Sequence, residues 1–347
     1  MDLSGVTRPV VVPVPVDRAG RRGPTPDAAR GKRWRASSRG LYVPADVDSS
    51  GVDQRVVEAA AVLPADWGGV TGWAGLAWMG ARWFDGAPWG GGRTRPVTLA
   101  IGGNRAIRPQ RAMATSEERL APRDLVHADG VRLTTAVRSV CFEMRYALTL
   151  WDAVTDLCLA CFNDLVSIAE VAAFAHAIPG WTGIGQCRDA LPLASENLWS
   201  PREVGMLRAW TVDAGLPRPL CNEPVFDLGG RLLGVPDLID PVAGVMGEYD
   251  GGVHFVDGRR RPRDLDREDS FRSHGMEYVA MIADDVRDTS RLVARLHASY
   301  ARASRLPASE RRWTLERPPW WIDVGSVAAR RSLTTRQRDR LLGHRAA

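Results

Sequence analysis

Lysine is nearly absent from this chain: Lys32 is the only lysine among 46 lysine and arginine residues. Chemistry that needs a catalytic lysine outside the N-terminal region is therefore excluded. The net charge of +5 on 347 residues is modest. It permits binding to nucleic acid without arguing for it.

Long apolar runs are also missing. No apolar stretch approaches the roughly 18 residues that a membrane-spanning helix needs, so we expect no transmembrane helix and no membrane partner. The N-terminus has an apolar patch, but prolines interrupt it. It also lacks the basic start and the cleavage site of a signal peptide. We therefore expect a cytoplasmic protein.

Cysteine is scarce and odd in number, with five in the chain. In a cytosolic protein such a set implies no disulfide framework. Cys158 and Cys161 have CxxC spacing, but they lie in the apolar sequence LCLACF, and no second pair completes a tetrahedral zinc site. We interpret them as core thiols.

Composition and pattern divide the chain into four parts. Residues 1–30 are rich in proline, glycine and arginine, and we expect them to be poorly ordered. A mainly helical domain carrying a β-hairpin follows at 31–190. An α/β domain occupies 195–305, and the tail at 306–347 should pack back onto a domain.

The first large domain mixes two kinds of pattern. RWRASSRGLYVP at residues 33–44 predicts the β-hairpin, with its turn at Ser-Ser-Arg-Gly. Apolar residues at three- and four-residue spacing predict helices. These helical segments are 53–63, 71–84 and 134–177, and strand-like pieces lie at 97–101, 111–114 and 124–128.

The second domain begins at Ser200-Pro201-Arg202-Glu203, where S-x-x-E predicts a capping box with proline in the first helical position. The pattern then predicts a helix, three strands, a helix, a strand and a helix. Their ranges are 201–214, 223–228, 231–239, 245–249, 264–274, 276–283 and 287–304. This order indicates an α/β (α+β) unit.

Two acids in this domain are predicted to face each other. The short loop at 241–244 makes the strands beside it an antiparallel hairpin, and its register places Asp237 opposite Glu248. Like charges facing across a ladder destabilise it by roughly 0.2–1 kcal/mol. A hard cation such as Mg²⁺ between the oxygens would relieve this. Since side chains alternate along a strand, Asp250 should project to the same side as Glu248.

A polar turn is the alternative. Asp237 could end a strand at the surface, and Glu248-Tyr249-Asp250-Gly251 could be a turn without a ligand. The apolar residues before each acid, Leu-Leu-Gly-Val-Pro and Val-Met-Gly, favour a buried site instead. Both interpretations stay open at the level of sequence.

The motifs of this domain, in order, are SENLWSPREVGMLR, GLPRP, GRLLGVPDLID, GEYDGGVH and RDLDREDSFRSHG. Over about 95 residues they resemble the DUF559-type, very-short-patch-repair-like branch of the PD-(D/E)XK nuclease superfamily. The resemblance implies a restriction-endonuclease-like fold, a mixed sheet flanked by helices. It also implies cleavage of DNA phosphodiesters that depends on Mg²⁺ or Mn²⁺.

The resemblance also implies roles for the acids. Asp237 and Glu248 correspond to metal ligands. Glu203 corresponds to an acid from the first helix that would join them, although a capping role would by itself explain this residue. Asp250 stands where the superfamily often has lysine, which is the main departure from the family pattern.

The missing positive charge would come from another residue of the motifs. His254 or Arg267 would supply it near the phosphate, so the catalytic set implied by the resemblance includes both. Asp264 either orders Arg267 or caps its helix. Without a lysine, activation of the attacking water would fall more heavily on the metal.

The N-terminal part resembles the AbiEi-type antitoxin and regulator architecture, through WRASSRGLYVP, the TTAVRSV helix and the WDAVTDLCLA helix. That family has a winged helix before its R-G-x-Y hairpin, whereas this chain shows little of the preceding helices. The resemblance implies DNA-phosphate contacts for a set of basic residues, and a solvated basic hairpin is the alternative. The set is Lys32, Arg33, Arg35 and Arg39.

Two functions follow from these observations. The first is a DNA endonuclease acting in defence or repair, with Mg²⁺ or Mn²⁺ as cofactor and with a possible homodimeric state. The second is a DNA-binding regulator of antitoxin type whose nuclease-like domain is inactive. A structural or interaction role with neither activity is a third option.

Overall fold

The computed structural model describes residues 3–103, 107–250 and 261–343, without the side chains of residues 261–266 and Ala308. The chain divides into two compact units, unit 1 at Met1–Leu193 and unit 2 at Ala194–Ala347. Both units combine helices with β-sheet. The predicted α/β (α+β) class is therefore confirmed.

A small sheet in unit 1 holds the predicted hairpin. Strands β2 (Trp34–Ser38) and β3 (Leu41–Pro44) pair antiparallel, as the sequence at 33–44 predicts. Strand β1 (Val14–Pro15) pairs with β3 on its other side. The order of the sheet is β1-β3-β2.

The N-terminal segment makes more contacts than its composition indicates. Poor order is the expectation for residues 1–30, but β1 belongs to a sheet and Arg8 forms ion pairs with Asp53 at 2.8 Å and Asp129 at 3.1 Å. The Arg8 guanidinium also lies 4.0 Å from the ring centre of Trp78. Local composition does not reveal these long-range partners.

Unit 1 also contains a five-stranded sheet of order β6-β5-β4-β8-β7. Its strands in chain order are β4 (Gly69–Thr71), β5 (Val97–Ala100), β6 (Met113–Ser116), β7 (Leu125–Ala128) and β8 (Val131–Thr134). This sheet adds to the predicted helices and hairpin of the unit. Strands β5, β6 and β7 overlap the strand-like pieces at 97–101, 111–114 and 124–128, whereas the pattern does not predict β4 and β8.

The helices of unit 1 pack on this sheet and on one another. They are α1 (Val52–Ala60), α2 (Gly72–Trp78), α3 (Ala136–Tyr146), α4 (Leu150–Phe162), α5 (Ile168–Ala177) and α6 (Ile184–Ala190), with short 3-10 turns at Ala28–Arg30, Pro122–Asp124 and Leu191–Leu193. Cys158 and Cys161 are fully buried on α4, and neither forms a disulfide. Their predicted place in the core is confirmed.

Unit 2 is built around a mixed four-stranded sheet of order β14-β13-β12-β9. These strands are β9 (Leu220–Cys221), β12 (Leu238–Asp240), β13 (Val245–Asp250) and β14 (Glu277–Ile282). β12 is antiparallel to both neighbours, whereas β13 and β14 are parallel. A parallel pair needs a crossover connection, and helix α8 (Arg261–Ser273) lies in the one between them.

Helices complete unit 2. They are α7 (Pro201–Arg208), which continues as a π-helical turn at Ala209–Asp213, α9 (Ser290–Ala303), α10 (Val327–Arg331) and α11 (Thr335–Leu342), with 3-10 turns at Ala283–Val286 and Ala308–Glu310. Within the described ranges, no helix has both the length and the apolar character needed to cross a membrane.

The strand predicted at 231–239 is wrong as a single element. It is split into β11 (Leu232–Gly234) and β12, which belong to different sheets. Val235-Pro236-Asp237 separates them. Proline has no backbone N–H to donate to a ladder and is confined to strand edges and ends, so the chain leaves one sheet here and enters the other.

The tail packs back onto unit 2, as the sequence predicts. Strand β15 (Trp313–Thr314) pairs with β10 (Val225–Asp227) in a sheet of order β11-β10-β15. Trp313 is 9% exposed and joins a core cluster with Phe271. The rings of Trp320 and Trp321 lie 5.9 and 5.2 Å from that of Phe226.

Substitution of Gly183 by alanine tests the packing of unit 1. Gly183 precedes α6 at φ +75°, and a Cβ there would lie 2.2 Å from the carbonyl oxygen of Arg145. We expect Gly183→Ala to lower the free energy of unfolding by about 2 kcal/mol or more, because the left-handed conformation alone costs roughly 1–2 kcal/mol. Urea denaturation measures this change.

Gly185→Ala is the matched control, since Gly185 lies two residues further along the chain in α6 with nothing within 4 Å of an added Cβ. A helical Gly→Ala change gains up to about 1 kcal/mol. Equal stability of the two variants would contradict the proposed packing.

Candidate functional site

The first acid of the site is carried by α7, which lies close to β13. A Cβ added at Gly247 would lie 2.3 Å from Met206 Cε and 3.1 Å from the ring of Trp210. Glycine at this position therefore allows the helix to approach the strand. Glu203 lies in the first turn of this helix and is only 6% exposed.

The predicted capping box at the start of α7 is only half formed. Ser200 Oγ accepts a hydrogen bond from Glu203 N at 3.3 Å. The Glu203 carboxylate accepts from Trp199 N at 2.8 Å and from Asn222 Nδ2 at 2.7 Å. Because this side chain also turns toward Asn222, capping is not its whole role.

Asn222 connects the first acid to the second. Its side chain donates to Glu203, and its backbone N–H donates to the carbonyl oxygen of Asp237 at 2.9 Å. It adopts φ +47°, a left-handed conformation that asparagine tolerates better than most residues. Asn222 is 3% exposed, and its Oδ1 has no hydrogen-bond partner among the described residues.

The predicted register of the hairpin is confirmed up to the residue next to Asp237. β12 and β13 pair Leu238 with Gly247, and Asp237 immediately precedes β12, outside the paired residues. The Asp237 carboxylate accepts a hydrogen bond from the backbone N–H of Tyr249 at 2.7 Å. The acid is thus anchored at the edge of the hairpin.

Buried Glu203 and half-buried Asp237 form an acidic pair. Burial raises the pKa of Glu203 to about 8, and the negative charge of Asp237 adds to this effect. Burial also raises the pKa of Asp237, against the opposing effects of the Tyr249 N–H and of Arg267. A cation or a proton at this pair would lower its electrostatic cost.

Glu248 faces a cation from helix α8. Its carboxylate lies 2.6 Å from Arg267 Nη2 and accepts a hydrogen bond from the Tyr278 hydroxyl at 3.3 Å. Arg267 Nη2 also donates to the carbonyl of Val235 at 2.7 Å. The pKa of Tyr278 is raised by burial and then by the charge of Glu248.

A glycine also brings α8 to the site. A Cβ added at Gly234 on β11 would lie 2.6 Å from Phe271 Cζ and 3.2 Å from Arg267 Nε. This close approach sets Arg267 beside the acids. The structure therefore brings Arg267 together with Glu248 and with the backbone just before Asp237.

The other two residues of the predicted catalytic set are Asp250 and His254. Asp250 is exposed at the end of β13, paired in the ladder with Ile282 of β14. His254 lies outside the described residues, and so does the side chain of Asp264.

The placed side chains do not by themselves form a complete metal cage. Within the described ranges, no group of three or more His, Cys, Asp or Glu side chains is positioned to hold a metal ion. Carboxylate and amide oxygens are nevertheless the donors that Mg²⁺ and Mn²⁺ take. Glu203, Asp237 and the unpaired Asn222 Oδ1 supply such oxygens.

Sequence reasoning missed Asn222 and Tyr278. An asparagine between two short strands has no signal beyond a turn. Tyr278 has the pattern of a core residue of β14, and its contact with Glu248 depends on the parallel pairing of β13 and β14.

The predicted DNA-binding residues of the hairpin differ from one another. Lys32 and Arg33 are exposed in the turn before β2, and Arg39 is exposed in the hairpin turn. Arg35 instead makes two hydrogen bonds to Glu58, at 3.0 and 2.7 Å. Its guanidinium already has a carboxylate partner that links β2 to α1.

Comparison with known proteins gave no relatives. No protein-family model, no curated protein and no solved structure matches this chain.

The raised pKa of Glu203 predicts a pH-dependent stability. The folded carboxyl releases its proton at about pH 8, well above the ordinary glutamate value of the unfolded chain. The folded state therefore binds more protons in this window, and the free energy of unfolding should fall as the pH rises toward 8. Urea denaturation in EDTA, repeated between about pH 5 and 8, measures this slope.

Glu203→Gln should reduce the slope of the free energy of unfolding against pH. At pH 8 the variant should be more stable than the native protein by more than about 1 kcal/mol, which corresponds to roughly one pKa unit. An unchanged slope in this variant would show that Glu203 is not the group responsible.

Proposed function

We propose that unit 2 is a DNA endonuclease that depends on a divalent metal. The observation that supports this most is the pair of buried Glu203 and half-buried Asp237, two carboxylates close enough for the charge of Asp237 to raise the pKa of Glu203. Such a pair costs free energy, since burial raises the pKa of both groups and the charge of Asp237 raises the pKa of Glu203 further. Perturbed acids of this kind are enriched at functional sites.

Asp237 and Glu248 would hold Mg²⁺ or Mn²⁺, with Glu203 as the third acid. When bound, the metal lowers the pKa of a water molecule and offsets negative charge on the phosphate. Asn222 fixes Glu203 by its side chain and Asp237 by its backbone N–H. Both acids are therefore held in position before any ligand arrives.

Arg267 would bind the scissile phosphate. A guanidinium carries five N–H donors in a planar fork that fits phosphate oxygens. Its side chain is 39% exposed, and its two contacts at the site both use Nη2. Tyr278 keeps its proton because its pKa is raised, so it orients Glu248 by a hydrogen bond and does not act as a base.

The geometry also supports a second candidate, a DNA-binding regulator of antitoxin type with an inactive nuclease-like unit. Glu248 is engaged by Arg267, and no complete metal-binding group occurs in the described part of the chain. Exposed Lys32, Arg33 and Arg39 would contact DNA phosphates in unit 1. A cytoplasmic location and a possible homodimer belong to both proposals.

Plasmid cleavage tests the first proposal. The full-length protein should nick or linearise supercoiled plasmid in Mg²⁺ or Mn²⁺ and not in EDTA. Asp237→Asn and Glu248→Gln should each reduce the rate by about a hundredfold or more, as expected when a metal ligand is removed. The rate is followed on agarose gels.

Asp269→Asn is the matched control, because Asp269 is an exposed acid on α8 of the same unit, and it should cleave at the native rate. Cleavage that survives both site variants would refute the assignment.

DNA binding without cleavage tests the second proposal. In EDTA the protein should bind a DNA duplex with an affinity that falls steeply as salt rises. Changing Lys32 and Arg33 to glutamine should reduce the slope of log affinity against log salt by about 1–2, roughly one for each basic side chain that no longer neutralises a phosphate. Arg123→Gln, an exposed arginine elsewhere in unit 1, should leave the slope unchanged.

Duplex binding that is absent even at low salt would eliminate this second candidate. Binding with an unchanged slope in the Lys32 and Arg33 variant would assign it to another surface.

A further inference from the structure

Unit 1 contains a cleft that the nuclease proposal does not use and that shares only Arg39 with the proposed DNA-binding surface. It lies between the β2–β3 hairpin, helix α1, the residues just before β5 and those at the start of β6, and its volume is about 800 Å³. Small-molecule sites have volumes of roughly 300–1,000 Å³. The cleft is therefore large enough for a compact organic ligand.

The cleft is strongly basic. Its lining includes five arginines and a single acid, Glu58, which leaves an excess of four positive charges. The arginines are Arg35, Arg39, Arg55, Arg95 and Arg111. An anionic ligand would offset the mutual repulsion of these guanidinium groups.

Three of the arginines are held in place by contacts with other residues of unit 1. Arg35 is fixed by its two hydrogen bonds to Glu58, and Arg95 by an ion pair with Glu143. Arg55 lies 4.5 Å from the ring centre of Trp73, and it donates to the carbonyl of Asp85 at 2.9 Å. Side chains that are already ordered lose little conformational entropy when they bind a ligand.

The cleft residues also carry polar atoms without a partner. Arg35 Nε, Arg95 Nε and Ser38 Oγ are buried and have no hydrogen-bond partner in the parts of the chain that the structure describes. Buried polar groups are nearly always hydrogen-bonded, so three exceptions on one cleft need an explanation. Two N–H donors and a hydroxyl are complementary to the oxygens of a phosphate.

We propose that this cleft binds the phosphate group of a small phosphorylated molecule. The arginines provide the charge, and the three unpartnered atoms provide hydrogen bonds that are directional. The cleft has room for an organic part beyond the phosphate. This site does not depend on the nuclease proposal, because its residues belong to unit 1 and need no metal.

Calorimetric titration with sodium pyrophosphate tests the proposal. The full-length protein is titrated in EDTA at constant ionic strength, so that the acids of unit 2 hold no metal that could attract the probe. We expect saturable binding with a Kd below about 1 mM. The Arg39→Gln, Arg111→Gln double variant should bind at least about tenfold more weakly, since charged hydrogen bonds to phosphate are strong.

Further variants distinguish binding at the cleft from general electrostatic attraction to unit 1. Arg39 and Arg111 are exposed, so their removal should not disturb folding. Ser38→Ala should weaken binding several-fold by removing one hydroxyl. Like each cleft substitution of arginine, Arg123→Gln removes one positive charge from unit 1. Because Arg123 does not line the cleft, the Kd should stay unchanged.

The competing source of phosphate is DNA. A short DNA duplex added in excess should not displace pyrophosphate if the cleft takes a small molecule. Displacement by duplex would assign the cleft to nucleic acid and overturn the proposal. Absence of saturable binding, or equal Kd values in the native protein and the cleft variants, would overturn it as well.

Discussion

The burial of Glu203 beside Asp237 is the constraint on which the organisation of unit 2 depends. Two carboxylates in a partly desolvated place are unfavourable, so the surrounding elements supply donors to both. Trp199 N and Asn222 Nδ2 donate to Glu203, and Tyr249 N donates to Asp237. These donors come from the start of α7, the end of β9 and strand β13, so the site holds three elements together.

Much of this arrangement follows from the sequence because it depends on local rules. A short loop fixes the register of a hairpin, and that register pairs Leu238, the residue after Asp237, with Gly247, the residue before Glu248. The capping serine and proline fix the start of α7. The hairpin at 33–44 is predictable for the same reason, because its two strands are neighbours in the chain.

The rest could not be predicted from the sequence because it depends on long-range pairing. Arg267 reaches Glu248 through a helix that crosses between parallel strands, and Tyr278 does so through the parallel partner of β13. Asn222 reaches Glu203 from 19 residues away. In unit 1, the ion pair of Arg35 with Glu58 spans 23 residues, so a basic hairpin residue has a structural partner that its pattern does not reveal.

The most direct test of the account is the proton balance of metal binding. Because Glu203 has a pKa of about 8, the protein at pH 7 holds a proton that a bound cation must displace. Calorimetric titration with Mn²⁺ at pH 7, in two buffers of different ionisation enthalpy, measures this exchange. The account predicts binding with release of about one proton, and a much smaller release in Glu203→Gln. Absence of Mn²⁺ binding, or binding with equal proton release in the native protein and this variant, would contradict it.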